Sequence, residues 1–485
     1  MIVLHYRHYK RIGGGDARGG MTRKINDRVK GKFKGDQEFQ LMALKKSDKW
    51  LIGALAALFI IGIAILVGGF LLYRVLKSSF AAPEAKEDGP PLEWERNFRR
   101  GEMSRGAGVD VTADGGFIVA AAVWEVEDGE KEKRRKIHLL KTDGEGRRTW
   151  ESSFDGNGCT YPLTVQEAPG GGFFILGNDE DGEYIIFKIS PGDPEPEPPA
   201  GGEKVNSIFL LKTDAGGNPE WERTLGGGRP CRGEAGRATG DGGYIVLGYM
   251  GEETDEYLYL VKVDAAGEVE WEQNFTPAPE MGGGPVRVME GPGYSVAPSA
   301  EGGYICTARH MVDDRVGLSI FETDESGNIL WERSIDLEGD PLDLYVVPCP
   351  EGGLMVATNG SFNPLTIFSP SVQLFKLDAS GEIEWEQEHR GTGNLSTIAL
   401  LDDGGWIMLT FTYDFFPVLA SNLHLIRTGS SGDLLWKKTI NPEERGSIES
   451  DYCGDEVVQA PDGALVITGM KDEHLFLLKV APEKP

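Results

Sequence analysis

Histidine, cysteine and paired carboxylates supply most catalytic and metal sites, and in this chain they are sparse. The seven histidines form no H-E-x-x-H or His-x-His spacing, so the common zinc sites are not indicated. No G-x-S-x-G nucleophile motif occurs either. His138, His424 and His474 fall in stretches that read as strands, whereas His310 and His389 read as lying in or near loops. The five cysteines show no C-x-x-C pair. Cys159 and Cys231 hold similar places in successive repeats, which leaves a disulfide between them or two free thiols as alternatives. The stretch NDEDGE (178–183) offers the oxygens of Asn178, Asp179, Asp181 and Glu183 to a calcium ion, though without the full alternating Asp ligand set. GGGDARGG (13–20) has no strand before it and no Lys-Ser pair after it, so it reads as a tail rather than a phosphate loop.

Two further groups could bind. Arg105, Asp110, Arg232, Glu234 and Arg237 are expected to line an axial channel, where convergent charges would favour an enzyme. FTYDFFPVLASN (411–422) brings Tyr413, Phe415 and Phe416 into one loop. With Arg229, Arg232, His310 and Tyr452 they are the candidate contacts for a partner, packing on a neighbouring loop being the plainer alternative.

A repeat must position these residues. D-x-x-G-x-x-x-W recurs at Asp143–Trp150, Asp214–Trp221, Asp264–Trp271, Asp324–Trp331 and Asp378–Trp385, and once more at Gly429–Trp436 with Gly in the Asp place. The Asp closes a turn by accepting backbone N–H groups, the Gly takes positive φ, and the next strand carries the Trp. A second unit, a doublet such as DGG before an apolar run, occurs seven times: DGGFIVAAAV (114–123), GGGFFILGN (170–178), DGGYIVLGY (241–249), EGGYICTA (301–308), EGGLMVAT (351–358), DGGWIMLT (403–410) and DGALVITG (462–469). Both units are hairpin turns, so each repeat holds four antiparallel strands, A to D. Repetition of such a unit predicts an all-β, seven-bladed β-propeller over 92–485. The last repeat lacks its Trp strand. LEWERNF (92–98) supplies it from the other end, which closes the ring and removes two sheet edges.

The phrases LVKVDAAGEVEWEQNF and FKLDASGEIEWEQ resemble the repeats of quinoprotein-type (PQQ-like) propellers, and still more the DGGY-type repeats of secreted prokaryotic propellers without assigned activity. The resemblance implies the fold, with each Trp a plate between blades. A quinoprotein dehydrogenase would bring an adjacent Cys pair and usually eight blades, and a sialidase box has Asp and Gly two apart rather than three. No organic cofactor is therefore expected, and an enzyme, quinoprotein dehydrogenase-like or a glycan hydrolase, is the alternative to a binding module.

Strand alternation puts the doublet and D-x-x-G turns on one face and the B–C and D–A loops on the other. The first set is nearly uniform. The second varies, from 21 residues between doublet and next turn in blades 3 and 4 to 42 in blade 2, where SPGDPEPEPPAGGEKVN (190–206) projects. Variable loops on a uniform scaffold are where recognition is expected.

Residues 51–73 run without a charge, long enough for a bilayer-spanning helix, with Trp50 and Tyr73 at the ends. Residues 1–49 carry 13 Lys and Arg against 5 Asp and Glu, whereas 81–485 carry 34 against 72. The positive-inside bias predicts a cytoplasmic tail over 1–49, a signal-anchor helix over 50–73, a linker over 74–91 and an outward-facing propeller. The acidic body disfavours nucleic acid. The expected partner is an envelope protein or glycan, met by the variable loops. Asn274, Asn359 and Asn394 head N-x-S/T sequons, compatible with that location.

Overall fold

The computed structural model describes residues 89–483, apart from 127–132, 156–159, 180–205, 252–255, 277–285, 290–292, 300–301, 314, 338–342, 360–370, 415–419 and 441–451. Every element among them is a β-strand, and these form seven separate antiparallel sheets. Blade 1 is Met103–Val111, Phe117–Val126, Lys133–Thr142 and Arg148–Phe154. Blade 2 is Thr160–Glu167, Phe173–Asp179, Ser207–Thr213 and Pro219–Leu225. Blade 3 is Cys231–Ala238, Tyr244–Met250, Tyr257–Val263 and Val269–Phe275. Blade 5 is Leu344–Pro348, Leu354–Asn359, Val372–Leu377 and Ile383–His389, and blade 6 is Asn394–Leu400, Trp406–Asp414, Ala420–Thr428 and Leu434–Ile440.

Blade 4 departs from the four-strand expectation. Its strand A is split into Val286–Val288 and Ser295–Pro298, which both pair with Tyr304–Val312, ahead of Arg315–Thr323 and Ile329–Asp336. The segment between strand D of blade 3 and the rest of blade 4 thus contributes a short strand, Val286–Val288.

Blade 7 closes the ring as expected. Tyr452–Gln459, Leu465–Lys471 and His474–Val480 take Leu92–Phe98 as their outer strand, with Trp94 opposite Lys479 and Phe98 opposite Leu475. Leu92 stands opposite Val480, so the chain enters the propeller on the short-turn face.

Burial explains the strand sequences. Strand B of blade 3, YIVLGYM, is buried at every position because both its faces meet neighbouring blades. Strand D of the same blade, VEWEQNF, alternates exposed and half-buried residues at the rim. The core is accordingly seven inter-blade clusters. One example unites Ile118, Leu139, Phe154, Val165, Ile175 and Phe209 between blades 1 and 2.

The Trp plates sit in these interfaces. Trp94, Trp150, Trp221 and Trp271 lie 5.7–6.1 Å, centroid to centroid, from Phe117, Phe173, Tyr244 and Tyr304, the residue that follows the doublet of the next blade. The turn glycine of that next blade covers the indole. A Cβ on Gly217, already at φ +79°, would fall 2.5 Å from Trp150 Cζ3, so no other residue fits there. Asp214 Oδ1 accepts the N–H groups of Gly216 and Asn218, at 2.9 and 2.8 Å, which fixes the turn.

A buried cation recurs at the end of strand C: Lys141, Lys212, Lys262, Lys376, Arg427 and Lys479. Each meets an acid of the doublet turn or of strand D, as Lys262 meets Asp241 and Glu270 at 2.8 Å each. In blade 4 the place belongs to Glu322, which accepts Trp331 Nε1–H at 2.6 Å. The uniform face is thus held by repeated, internally satisfied ion pairs, as a scaffold should be.

Candidate functional site

Strand A of each blade runs from the long-loop face to the short-turn face and lines the central channel. In blades 1, 2, 3, 6 and 7 this strand carries a β-bulge at one equivalent place, with register breaks at Gly106/Gly108, Pro162/Thr164, Gly233/Ala235, Leu395/Thr397 and Gly454/Glu456. The extra residues are Ala107, Leu163, Glu234, Ser396 and Asp455. A bulge leaves its extra residue out of the ladder and re-aims its side chain. Four of the five, all but Glu234, line a cavity of about 390 Å³.

The remaining lining is Arg105, Tyr161, Pro162, Asp343, Tyr345, Leu395, Phe411 and Cys453. Most of these stand at or near the start of a strand A, so the cavity occupies the long-loop end of the channel. Blades 1, 2, 5, 6 and 7 all contribute.

Its electrostatic centre is a bidentate pair. Arg105 Nε lies 3.0 Å from both carboxylate oxygens of Asp455, and Nη2 also donates to Asp455. Burial pushes the Asp455 carboxyl above its usual range, against the opposing pull of Arg105. Burial, reinforced by Asp455, pushes the Cys453 thiol up to about 12, so it is no thiolate at neutral pH. Burial also raises Tyr345 and Asp343; Asp343 accepts Asn359 Nδ2–H at 2.6 Å.

A second charged tier lies deeper in the channel. Asp110 accepts the N–H groups of Val111 and Glu167 at 2.8 and 2.9 Å. Burial first, then the charges of Asp110 and Asp455, pushes Glu456 up to about 8, with Arg237 opposing. Burial lowers Arg237, which the charges of Asp110 and Glu456 oppose.

Of the residues singled out from sequence, Arg105, Asp110 and Arg237 therefore belong to the channel, joined by Asp455 and Glu456. Arg232 Nε lies 3.2 Å from Glu234 Oε1. Arg229 is exposed and donates to Tyr257 Oη at 3.0 Å. His310 is not in or near a loop: it is fully buried in Tyr304–Val312, with Ser319 Oγ 3.1 Å from Nδ1 and Ser334 Oγ 3.3 Å from Nε2. His389 ends strand D of blade 5 and is also buried. Tyr452, a candidate partner contact, opens strand A of blade 7 and is buried; its hydroxyl donates to Glu95 Oε2 at 3.0 Å. Tyr413 ends up in strand Trp406–Asp414, while Phe415 and Phe416 lie outside the described residues.

In the calcium candidate, Asn178 is buried and spans to blade 3. Its Nδ2 donates to Gly233 O at 2.9 Å and its Oδ1 accepts Gly233 N–H at 2.8 Å. Asp179 is buried as well, and Asp181 and Glu183 lie outside the described residues. Cys231 is a free, buried thiol, and Cys159, its candidate disulfide partner, lies outside the described residues. Among the sequons, Asn274 is exposed, whereas Asn359 is buried, bonding Asp343 and accepting Leu395 N–H. Among the described residues no helix is long and apolar enough to cross a membrane, and 51–73 lies outside them.

Sequence reasoning missed the bulge residues Ala107, Leu163, Ser396 and Asp455. Their one signal is spacing: each bulge residue stands nine before the last position of its doublet unit.

No family model and no curated protein matches this sequence. Three solved structures are among those similar to this chain. A protein of unknown function from Dyadobacter fermentans DSM 18053 is 12% identical, with 73% of this chain and 98% of that chain covered at a TM-score of 0.40. BBS1N in complex with ARL6DN is 10% identical, with 82% and 99% covered at 0.44. The polysaccharide lyase Uly1 is 9% identical, with 78% and 90% covered at 0.43.

Proposed function

We propose that this chain is a membrane-anchored, extracytoplasmic β-propeller that binds or scaffolds a protein or glycan of the cell envelope through its long-loop face. In this reading residues 1–49 lie inside, 50–73 cross the membrane, and the propeller stands outside. The observation that carries it is the placement of the bulges. Four of them turn side chains into one cavity, and that cavity opens where the loops vary, while the opposite face is a repeated set of satisfied turns and ion pairs. Conserving geometry at one face and varying it at the other is what a recognition scaffold requires.

The test uses the full chain in nanodiscs, exposed to envelope extract. Shortening 181–205 or replacing 441–451 should reduce capture of a partner. Reversing the charge of exposed Glu145 on the short-turn face should not. Capture that survives both loop changes but fails on the Glu145 change would reverse the assignment of faces.

A second reading, a propeller enzyme acting on a glycan, draws on one observation. Glu456, raised to about 8 by burial and by the charges of Asp110 and Asp455, holds a proton near neutral pH, as the general acid of a hydrolysis must. Release of reducing ends from envelope glycan by the full chain, abolished in Glu456→Gln, would favour it.

A further inference from the structure

The cavity at the long-loop mouth has a donor, acceptor and ring pattern that selects among ligands. Tyr161, Tyr345 and Phe411 give it aromatic walls. Arg105 commits Nε and Nη2 to Asp455 and leaves Nη1 without a bond to any described residue. The Tyr345 hydroxyl makes no hydrogen bond to a described residue. Asp343 uses one carboxylate oxygen on Asn359 and keeps the other free of described donors.

We infer that this cavity holds one uncharged, hydroxyl-rich sugar residue of a glycan; the inference rests on the binding role proposed above and narrows it. The size fits one ring. About 390 Å³ lies at the small end of ligand pockets, roughly 300–1,000 Å³. The chemistry fits hydroxyls. A hydroxyl donates and accepts at once, so vicinal hydroxyls can accept a hydrogen bond from Arg105 Nη1 or the Tyr345 O–H while donating one to a carboxylate oxygen of Asp343. The aromatic walls suit the apolar C–H faces of a pyranose.

Charge argues against the alternatives. A carboxylate or phosphate would compete with Asp455 for Arg105 and would face Asp343, leaving an unpaired negative charge in a confined site. An uncharged polyol fills the leftover hydrogen bonds and leaves the Arg105–Asp455 pair intact.

The experiment titrates the full chain in nanodiscs with methyl glucoside, methyl galactoside, methyl mannoside, N-acetylglucosamine, glucuronate and inorganic phosphate, read by saturation-transfer NMR. At least one neutral glycoside should bind with Kd of about 1 mM, and glucuronate and phosphate should bind more weakly than it. Tyr345→Phe, which keeps the ring, should weaken that binding about ten-fold, and Ala107→Leu, which fills the cavity, should abolish it, with the thermal midpoint of each variant confirming the fold. Tighter binding of glucuronate or phosphate, neutral binding indifferent to both variants, or no saccharide binding at all would each overturn the inference. If no saccharide binds while loop-dependent capture from envelope extract persists, the binding role stands and only the sugar assignment fails.

Discussion

Gly89 lies flat against the indole of Trp436: a Cβ on it would stand 2.8 Å from Trp436 Cε3 and 2.8 Å from Lys438 Cβ. In the other six interfaces that place belongs to the glycine of the next D-x-x-G turn, as Gly217 covers Trp150 and Gly432 covers Trp385. Blade 7 has no such turn, because its strands C and D come from opposite ends of the chain. Residues 89–91 and 481–483 rebuild it from two pieces. Ala481 N–H donates to Pro91 O at 2.9 Å, and Glu483 Oε1 accepts Trp436 Nε1–H at 3.1 Å and Arg427 Nε–H at 2.8 Å. The join between chain ends therefore reproduces the inter-blade contact as well as the strand pairing.

Gly89→Val should thus destabilise the protein although the residue sits ahead of the first strand. Overpacking against an indole that cannot retreat costs about 1–3 kcal/mol. Thermal unfolding should show a lowered midpoint for Gly89→Val, and Glu483→Ala should lower it by a smaller amount. An unchanged midpoint for both would mean that the rebuilt turn contributes nothing to closure.

The strand C cations give a second prediction. Lys262 is 3% exposed yet holds Asp241 and Glu270 at 2.8 Å, both of which remain largely open to solvent. Lys262→Met keeps the buried stem and deletes the charge, and its two acidic partners can rehydrate. The expected cost is about 1–2 kcal/mol, below that of breaking a wholly buried pair. Lys262→Ala adds a cavity beside Tyr304 and should cost more. Denaturant midpoints for the two variants rank them, and equal values would show that the charge, not the stem, supplies the stability.

Two buried histidines set the acid side of the stability curve. Burial pulls His138 down to about 4, helped by the positive charges of Arg100 and Arg148; Ser153 Oγ lies 2.9 Å from its Nδ1 and Glu151 Oε2 lies 3.6 Å from its Nε2. Burial likewise pulls His310 down to about 4, with Asp336 opposing. The unfolded chain protonates these rings near 6.5, before the folded one does, so their contribution is whole above that pH and is lost as pH falls toward 4. NMR of the imidazole groups should show both neutral at pH 6. His310→Gln should lower stability at pH 7 and flatten its dependence between pH 6.5 and 4.

The fold was legible because its period is strict. Turn Asp, turn Gly and Trp keep fixed offsets, and the stray LEWERNF strand had one place to go. The finer features carried no such mark. A bulge adds a residue without changing composition, so Ser396 and Asp455 looked like ordinary strand positions. Lys at the end of LLK or LVK normally faces water, and its burial here depends on acids from two other strands. Gly89 read as linker, since a single glycine beside prolines signals flexibility more readily than a contact. His310 read as lying in or near a loop; Asp313, at φ +48°, makes a tight turn and the strand continues to Val312. The channel charges Arg105, Asp110 and Arg237 were legible from their place in strand A. Their acidic counterparts in blade 7, Asp455 and Glu456, were not, because the partner of Asp455 is Arg105, a residue 350 positions away in the sequence.

The alkaline side of the stability curve should belong to Glu456. Burial, then the negative charges of Asp110 and Asp455, lifts its carboxyl to about 8, and Arg237 offsets this only in part. Between the ordinary carboxylate range and that value the folded protein holds a proton that the unfolded chain has released. Stability must therefore fall as pH rises through this window, by up to about 1.4 kcal/mol per pH unit from this group. Glu456→Gln removes the ionisation and keeps the shape. Its thermal midpoint should match the wild type near pH 5 and exceed it by a growing margin toward pH 8. A constant offset across that range would show that Glu456 is ionised in the folded channel at neutral pH, and would remove the proton donor on which the enzymatic reading depends.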